Sequence, residues 1–420
     1  MATAPAQDLG RWQRRFFTIW VGQALSLLGS QLVQFGLVWY LTRQTGSATV
    51  LATATLVAML PNIALAPLVG SLIDRGNRRR IMMVADSGVA LVTVLLALLF
   101  ALGAVQLWHI YLAMFLRALG GAFHGPAMQA STSLMVPPQH LARIQGLNQM
   151  LNGGMNILSA PLGALLLELL PMQGLLGLDV LTALFAVVPL FFFTIPQPAK
   201  APSAGLAPSF WQDVRAGLDY VLSWPGLLII CLMATAINFL FSPAGALTPL
   251  LITKHFGGGV KELGLFEAMF SAGVILGGLL LGAWGGFRRQ ILTAMLGLLG
   301  MGVFTFLVGR TPAHAFPWAV AGMFFSGLMN PIVNGSLGAI LQGAVEPGMQ
   351  GRVFSLINSL STAATPVSLL AAGPLADRYG VPSWYMLGGV VCFLLALVGM
   401  ALPAVMSVDD GHPGKGVVAG

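Results

Sequence analysis

The sequence predicts an all-α polytopic membrane protein with twelve transmembrane helices in two pseudo-symmetric six-helix bundles. Three observations predict this fold: the hydrophobic content, the long apolar runs and a repeat between the two halves. Of the 420 residues, 57% are hydrophobic and 8% are charged, and the mean hydropathy is +0.85. A soluble protein of this size would have too few polar residues to cover its surface.

Twelve apolar runs have about the 20 residues that a helix needs to cross the hydrocarbon core of a bilayer. The runs are continuous, whereas a membrane β-barrel would show alternating segments of about 10 residues. We therefore expect helices, which satisfy their own backbone hydrogen bonds in lipid. The predicted spans cover about residues 16–41, 49–73, 81–104, 108–135, 144–169, 174–195, 225–253, 262–286, 290–308, 315–343, 352–375 and 383–405.

The basic residues lie mostly on one side of these spans. With the amino terminus inside, the inner segments hold fourteen Lys or Arg residues and the outer segments five. This bias predicts a multi-pass protein of the cytoplasmic (inner) membrane with both termini in the cytoplasm. We expect an amino-terminal bundle at 1–195, a cytoplasmic linker with an amphipathic helix at 196–224, a carboxyl-terminal bundle at 225–405 and a cytoplasmic tail at 406–420.

The two halves show an internal repeat at an offset of 209 residues. Arg79 and Arg80 fall on Arg288 and Arg289, and Pro138 falls on Pro347. One unbroken offset across several helices indicates a duplicated six-helix unit, which is a recurring plan of secondary transporters.

Polar side chains recur on single faces of eight spans, at the helical spacing of about 100° per residue. A polar residue in lipid is costly unless it faces protein or water, so these faces predict a water-filled central cavity. The alternative is that Asn, Ser and Gly bind neighbouring helices together. The candidate cavity residues are Gln23, Ser30, Gln34, Gly121, His124, Asn152, Asn156, Asn238, Asn330, Asn334 and Ser359.

Charged residues inside the spans are candidates for proton coupling. Arg117 in span 4 needs a partner or a wet cavity, and Glu267 in span 8 could carry a proton or form a salt bridge. Asp86 in span 3 is a third candidate, with an ion pair to the nearby loop arginines as its alternative. His124 could be a packing residue, and we expect Asp179, near the outer end of span 6, to be solvated.

Several classes of soluble protein are excluded. The sequence has no phosphate-binding glycine-rich loop followed by Lys and no His/Cys spacing typical of a metal site. We therefore predict no cofactor, no metal, no enzymatic activity and no nucleic-acid partner. Cys231 and Cys392 lie in apolar runs and are interpreted as small hydrophobic residues.

The loop between spans 2 and 3 carries a known signature. Residues 70–79 (the first signature) read Gly70-x-Leu72-x-Asp74-Arg75 and then Arg78 and Arg79, which resembles the loop motif of the major facilitator superfamily. "FLRALGGAF" around Arg117 is similar to that superfamily's span-4 motif, and residues 153–163 resemble a degenerate form of its antiporter motif. Along its full length the chain is similar to bacterial efflux members of the macrolide and siderophore exporter type.

The resemblance implies two six-helix bundles that open alternately to each side of the membrane. We expect proton-coupled export of small amphipathic organic compounds by a monomer in a lipid bilayer. A proton-coupled uptake symporter or lipid transporter on the same fold is the alternative, since direction cannot be read from a fold. A membrane receptor that transports nothing is a third candidate.

The first signature is expected to act as a conformational gate rather than a substrate site. Its candidate gate residues are Gly70, Asp74, Arg75, Arg78 and Arg79. We expect Asp74 and Arg75 to latch the outward-open state by pairing with each other, with Asp86, or with the amino terminus of span 11 near Arg352. Asp74→Asn should therefore impair transport while leaving expression intact; wild-type transport rates at equal expression would contradict the latch.

Overall fold

The computed structural model describes residues 9–195 and 210–411, and the secondary structure in these ranges is helical throughout. The first six helices are α1 Leu9–Thr45, α2 Ala48–Arg75, α3 Arg78–Ala101, α4 Leu107–Met135, α5 Leu141–Leu169 and α6 Met172–Phe192. The others are α7 Phe210–Leu222, α8 Pro225–Leu250, α9 Val260–Trp284, α10 Gln290–Arg310, α11 Phe316–Ala344, α12 Pro347–Tyr379, α13 Val381–Ala401 and α14 Pro403–Met406. A π-helical turn, Leu251–His255, extends α8.

Each predicted span corresponds to one long helix, which confirms the all-α membrane fold. Within the described ranges, eleven helices are long and apolar enough to cross a membrane. The twelfth long helix, α4, falls short of this standard. It carries Arg117, His124 and Gln129 among its apolar residues, so its polar content lowers its hydropathy.

The connection between α6 and α8 contains the short helix α7, at the place where the sequence predicts an amphipathic helix. Its carboxyl-terminal part packs on the start of α12. A methyl group added at Gly217 would lie 3.3 Å from the Arg352 carbonyl oxygen, so the two backbones approach closely. Val221 and Trp224 are buried beside this contact, which anchors the end of the linker.

The chain folds into two compact units, residues 1–44 with 54–203 and residues 45–53 with 204–420. The first turn of α2 thus belongs to the second unit and the rest of α2 to the first. Each unit has its own apolar core. The first core includes Phe16, Ile19, Val69, Ile73, Met82, Ala127, Ile144 and Leu190; the second includes Trp224, Leu227, Met295, Leu298, Met301, Val353, Val405 and Val408.

Small residues allow the helices of the second unit to approach closely. At the crossing of α10 and α13, a methyl group on Gly302 would lie 2.7 Å from the Phe393 nitrogen, and one on Gly389 would lie 2.4 Å from the Phe306 nitrogen. Both contacted nitrogens are backbone atoms, which cannot move without the helix to which they belong. Close packing of this kind holds helices together in lipid, where the hydrophobic effect gives no drive for helices to associate.

Gly302→Ala should lower the free energy of unfolding by about 1–3 kcal/mol, because α10 and α13 must separate to admit the methyl group. Thermal unfolding of the purified protein in detergent measures the effect. Gly278→Ala is the matched control, since a methyl group at Gly278 meets nothing within 4 Å. Equal melting temperatures for the two variants would show that the crossing does not limit stability.

Candidate functional site

The first unit contains a cavity of about 890 Å³. Residues from α1, α2, α3, α4 and α5 line it. Its wall is rich in uncharged amide and hydroxyl groups, namely Gln23, Ser26, Ser30, Gln31, Gln34, Asn62, Gln129, Thr132, Gln145, Asn148, Gln149 and Asn152. The predicted cavity residues of the first half are therefore brought together, except Asn156, which does not line this cavity.

Apolar side chains occupy the rest of the wall, among them Trp20, Leu27, Met114, Met128 and Leu151. The Trp20 indole nitrogen donates a hydrogen bond of 2.7 Å to the Asn148 side-chain oxygen, which joins α1 to α5. A wall that mixes amides with Met and Trp can contact a large, weakly polar molecule over most of its surface.

A histidine–carboxylate pair lies on the cavity wall. The Nδ1 atom of His124 lies 2.7 Å from Oδ1 of Asp86, and the Gln23 amide donates to Oδ2 of Asp86 at 3.2 Å. Both Asp86 and His124 line the cavity. Through these contacts Asp86 faces α1 and α4, and the described contacts of Asp86 include none with the loop arginines.

Two of the loop arginines, Arg78 and Arg79, are bound to backbone carbonyl groups. Arg79 donates hydrogen bonds to the carbonyl oxygens of Leu190 and Phe191, the latter at 2.9 Å. Arg78 donates to the Ala130 carbonyl oxygen at 2.7 Å. A cation at the last carbonyls of a helix is favoured by the helix dipole, so Arg79 stabilises the end of α6.

The structure describes only the backbone of the other three gate candidates. Gly70, Asp74 and Arg75 lie on the described backbone of α2, but their side-chain surroundings lie outside the described residues. The gate therefore stays a prediction.

A second ion pair is buried beside the cavity. Arg117 lies 2.6 Å from Oδ2 of Asp179, and Thr93 hydrogen-bonds to both residues. Ser30 donates to Oδ1 of Asp179 at 3.3 Å. The expectation that Asp179 is solvated is wrong, since it is only 2% exposed: it lies two turns inside α6, where α1, α3 and α4 meet.

The two pairs together hold two carboxylates and one guanidinium beside the imidazole of His124. Asp86, Arg117 and His124 line the cavity, and an imidazole is a side chain that can gain or lose a proton near neutral pH.

The predicted site residues of the second half do not form a comparable cluster in the structure. Glu267 on α9 is half-buried and has no hydrogen bond or ion pair among the described residues. Asn238 donates to the carbonyl oxygen of Ala234 on its own helix, and Asn334 donates to Asn330 at 3.1 Å. Ser359 is exposed on α12. The described hydrogen bonds of Asn238 and Asn334 stay within single helices, and their role as cavity residues stays a prediction.

A further polar contact lies at the end of α12, which sequence analysis missed. Oδ1 of Asp377 accepts a hydrogen bond of 2.7 Å from the Ala48 backbone nitrogen. Oδ2 accepts from the Ser47 hydroxyl at 2.9 Å and from the nitrogen and hydroxyl of Thr49 at 3.0 and 2.7 Å. The available signal was the pattern Gly373-x-Leu375-x-Asp377-Arg378, which repeats the residues of the first signature.

Comparison with known proteins identifies the family. The model of the Major Facilitator Superfamily matches residues 19–367. The chain belongs to this superfamily. It is a multi-pass membrane transporter, as the first signature and the twelve helices predict.

Two curated relatives are similar along nearly the whole chain. Macrolide efflux protein A of Streptococcus pyogenes is 32% identical over 403 residues, which cover 96% of this chain and 99% of the relative. The multidrug efflux pump Tap of Mycolicibacterium fortuitum is 26% identical, and the match covers 88% of this chain and 91% of the relative.

Solved structures of the same fold are more distant in sequence. A POT family transporter in complex with a thioalcohol-conjugated peptide is 10% identical in sequence, with a TM-score of 0.72, and the match covers 94% of this chain and 97% of that transporter. The nucleoside transporter NupG is 11% identical, with a TM-score of 0.68, and the match covers 92% of this chain and 98% of NupG. These likenesses show the fold alone.

Removing Asp179 should destabilise the transporter strongly. Asp179→Ala leaves Arg117 buried without its carboxylate, which should cost about 3 kcal/mol of unfolding free energy. Thermal unfolding in detergent measures the loss, and Arg117→Gln combined with Asp179→Asn should recover part of it.

The exposed pair of Arg215 and Asp219, 3.9 Å apart, supplies the matched control. Asp219→Asn should change stability by less than about 1 kcal/mol. An Asp179→Ala protein as stable as Asp219→Asn would contradict a structural role for the buried pair.

Proposed function

We propose that this transporter exports small amphipathic organic compounds from the cytoplasm in exchange for protons. The observation that carries the proposal is the cavity of about 890 Å³ whose amide-rich wall includes the Asp86–His124 pair. The name of the 32% identical relative, Macrolide efflux protein A, supports macrolides as the first compounds to test.

The composition of the wall favours large and weakly polar substrates. A phosphate or carboxylate substrate would require unpaired cations, but Arg117 on this wall is already bound to Asp179. Trp20 and Met114 supply apolar contact, and the amides supply hydrogen bonds that can adapt to different molecules. This combination suits a range of macrolide-sized compounds better than one small sugar.

Proton coupling is assigned to the Asp86–His124 pair, with Arg117 holding the neighbouring charge in place. A proton on His124 removes the excess negative charge of the cavity, whereas an amine-bearing substrate requires that charge. Proton and substrate therefore favour different states of the same site, which is the thermodynamic basis of exchange. Glu267, a half-buried carboxylate on α9, is the second candidate carrier.

The membrane arrangement follows from the positive-inside bias. Both termini and the linker at 196–224 face the cytoplasm, between bundles at 1–195 and 225–405, and the tail at 406–420 is cytoplasmic. The protein acts as a monomer in the lipid of the inner membrane. The gate residues Gly70, Asp74 and Arg75, with Arg78 and Arg79, control access from the inner side.

Everted membrane vesicles test direction and coupling together. With an acid-inside proton gradient, vesicles that contain the transporter should accumulate a radiolabelled macrolide, and an uncoupler should abolish accumulation. Equal accumulation with and without the protein across macrolides and cationic dyes would refute export. Proton-driven uptake in right-side-out vesicles would instead show that the protein is an uptake symporter.

Single substitutions identify the carrier. Asp86→Asn or His124→Gln should reduce gradient-driven accumulation by roughly 5- to 150-fold, the range expected when a coupling free energy of about 1–3 kcal/mol is lost. Substrate binding measured without a gradient should change less for His124→Gln than for Asp86→Asn. If Asp86→Asn and His124→Gln both retain full proton-driven transport while Glu267→Gln loses it, Glu267 is the residue that carries the proton.

A further inference from the structure

The loop signature occurs twice in this chain. Residues 373–380, here called the second signature, read Gly-Pro-Leu-Ala-Asp-Arg-Tyr-Gly, and the first signature begins Gly-Ser-Leu-Ile-Asp-Arg. Both copies end a long helix, since α2 ends at Arg75 and α12 ends at Tyr379. The second copy does not follow the 209-residue repeat, which aligns the first signature with residues near Arg288. Its presence needs its own explanation.

The aspartate of the second signature caps a different helix. The first backbone N–H groups of any helix lack intrahelical partners and carry the positive end of the helix dipole. At the start of α2 these groups are bound by Asp377, through the nitrogens of Ala48 and Thr49. The hydroxyl groups of Ser47 and Thr49 add two further bonds to the same carboxylate.

The glycines of the second signature make this docking possible. A methyl group on Gly373 would lie 2.8 Å from the Thr49 Cα atom and 3.2 Å from the Ala52 Cβ atom, so only glycine lets α12 approach the first turn of α2. Gly380 has a φ of +83°, a conformation that glycine adopts without strain. It follows the last residue of α12, three residues after the capping aspartate.

We propose that the second signature is a gate at the outer end of the transporter, with Asp377 as its latch. The inference rests on the proposed orientation, which places the start of α2 and the end of α12 outside. Helix α2 thus carries one signature at its carboxyl end and receives the other at its amino end. Binding of Asp377 to the amino end of α2 is the latched state of this gate, and release of α2 unlatches it.

The contact is built to form and break. Asp377 is exposed at the helix end, so water can replace its partners when α2 departs. All four hydrogen bonds converge on one carboxylate, and they are therefore lost together. Residues 45–53, which include the start of α2, belong to the same compact unit as Asp377.

Cysteine labelling tests the gate without any substrate. In a Cys231→Ala/Cys392→Ala background, Gln34→Cys places one thiol on the cavity wall, and a membrane-impermeant maleimide is applied to whole cells. Adding Asp377→Asn should raise the labelling rate about fivefold or more, because the outward-open state becomes more populated. An unchanged rate in correctly folded protein would overturn the gate.

Glu262→Gln is the matched control. Glu262 also caps a helix predicted to start outside, but it binds the Gly259 nitrogen of its own helix α9 at 2.7 Å. Loss of this local cap should leave labelling of Gln34→Cys unchanged. A similar rise in both variants would mean that labelling reports general loosening and would refute a specific latch.

A cross-link provides the converse test. The Ser47 hydroxyl and the Asp377 carboxylate are 2.9 Å apart, so Ser47→Cys with Asp377→Cys should form a disulfide on mild oxidation. The oxidised protein should show slow labelling of Gln34→Cys from outside and no transport, and a reductant should restore rapid labelling and transport. Rapid labelling of the cross-linked protein would overturn the gate. If labelling responds to oxidation and reduction as expected but the protein transports no compound, only the proposed export function would be overturned.

Discussion

The pairing of Arg117 with Asp179 is the interaction on which the first unit depends. A guanidinium inside a membrane bundle is tolerated when its charge and its N–H groups are satisfied, and here α6 supplies the carboxylate while α3 supplies Thr93. Ser30 brings α1 to the same carboxylate. One ion pair thus determines how four helices face each other, and the cavity lies where those faces diverge.

The neutral wall and the charged cluster have separate tasks in this arrangement. The amides around the cavity provide hydrogen bonds without demanding a particular substrate charge, whereas Asp86 and His124 bring a carboxylate and an imidazole to the same wall. Because Arg117 is paired with Asp179, its guanidinium is already bound within the protein.

The helices could be predicted from the sequence because span length and charge bias are local properties. The faces of α1 and α4 followed equally well from helical spacing, and Gln23, Ser30, Gln34 and His124 do line one cavity. The partner of Arg117 could not be predicted, since the rotation of α6 about its axis depends on packing with other helices. The sequence therefore predicted a solvated Asp179, and it did not predict the contact of Asp86 with His124.

The second signature was visible as a pattern, but its target was not. A cap usually comes from the residue that precedes its own helix, whereas Asp377 caps a helix more than 300 residues away in sequence. Asn238 and Asn334 show that hydrogen-bond partners of polar residues are hard to predict too, since each donates to a carbonyl group of its own helix.

The weak hydropathy of α4 has a consequence for biosynthesis. Arg117 leaves the ribosome 62 residues before Asp179, an interval of roughly 3–12 s at about 5–20 residues per second. During that time α4 carries an unmatched cation and is the long helix that falls below the hydropathy of a typical span. The cation of α4 therefore meets its carboxylate only after α6 has been made, so we expect this ion pair to form late in the membrane insertion of the first six helices.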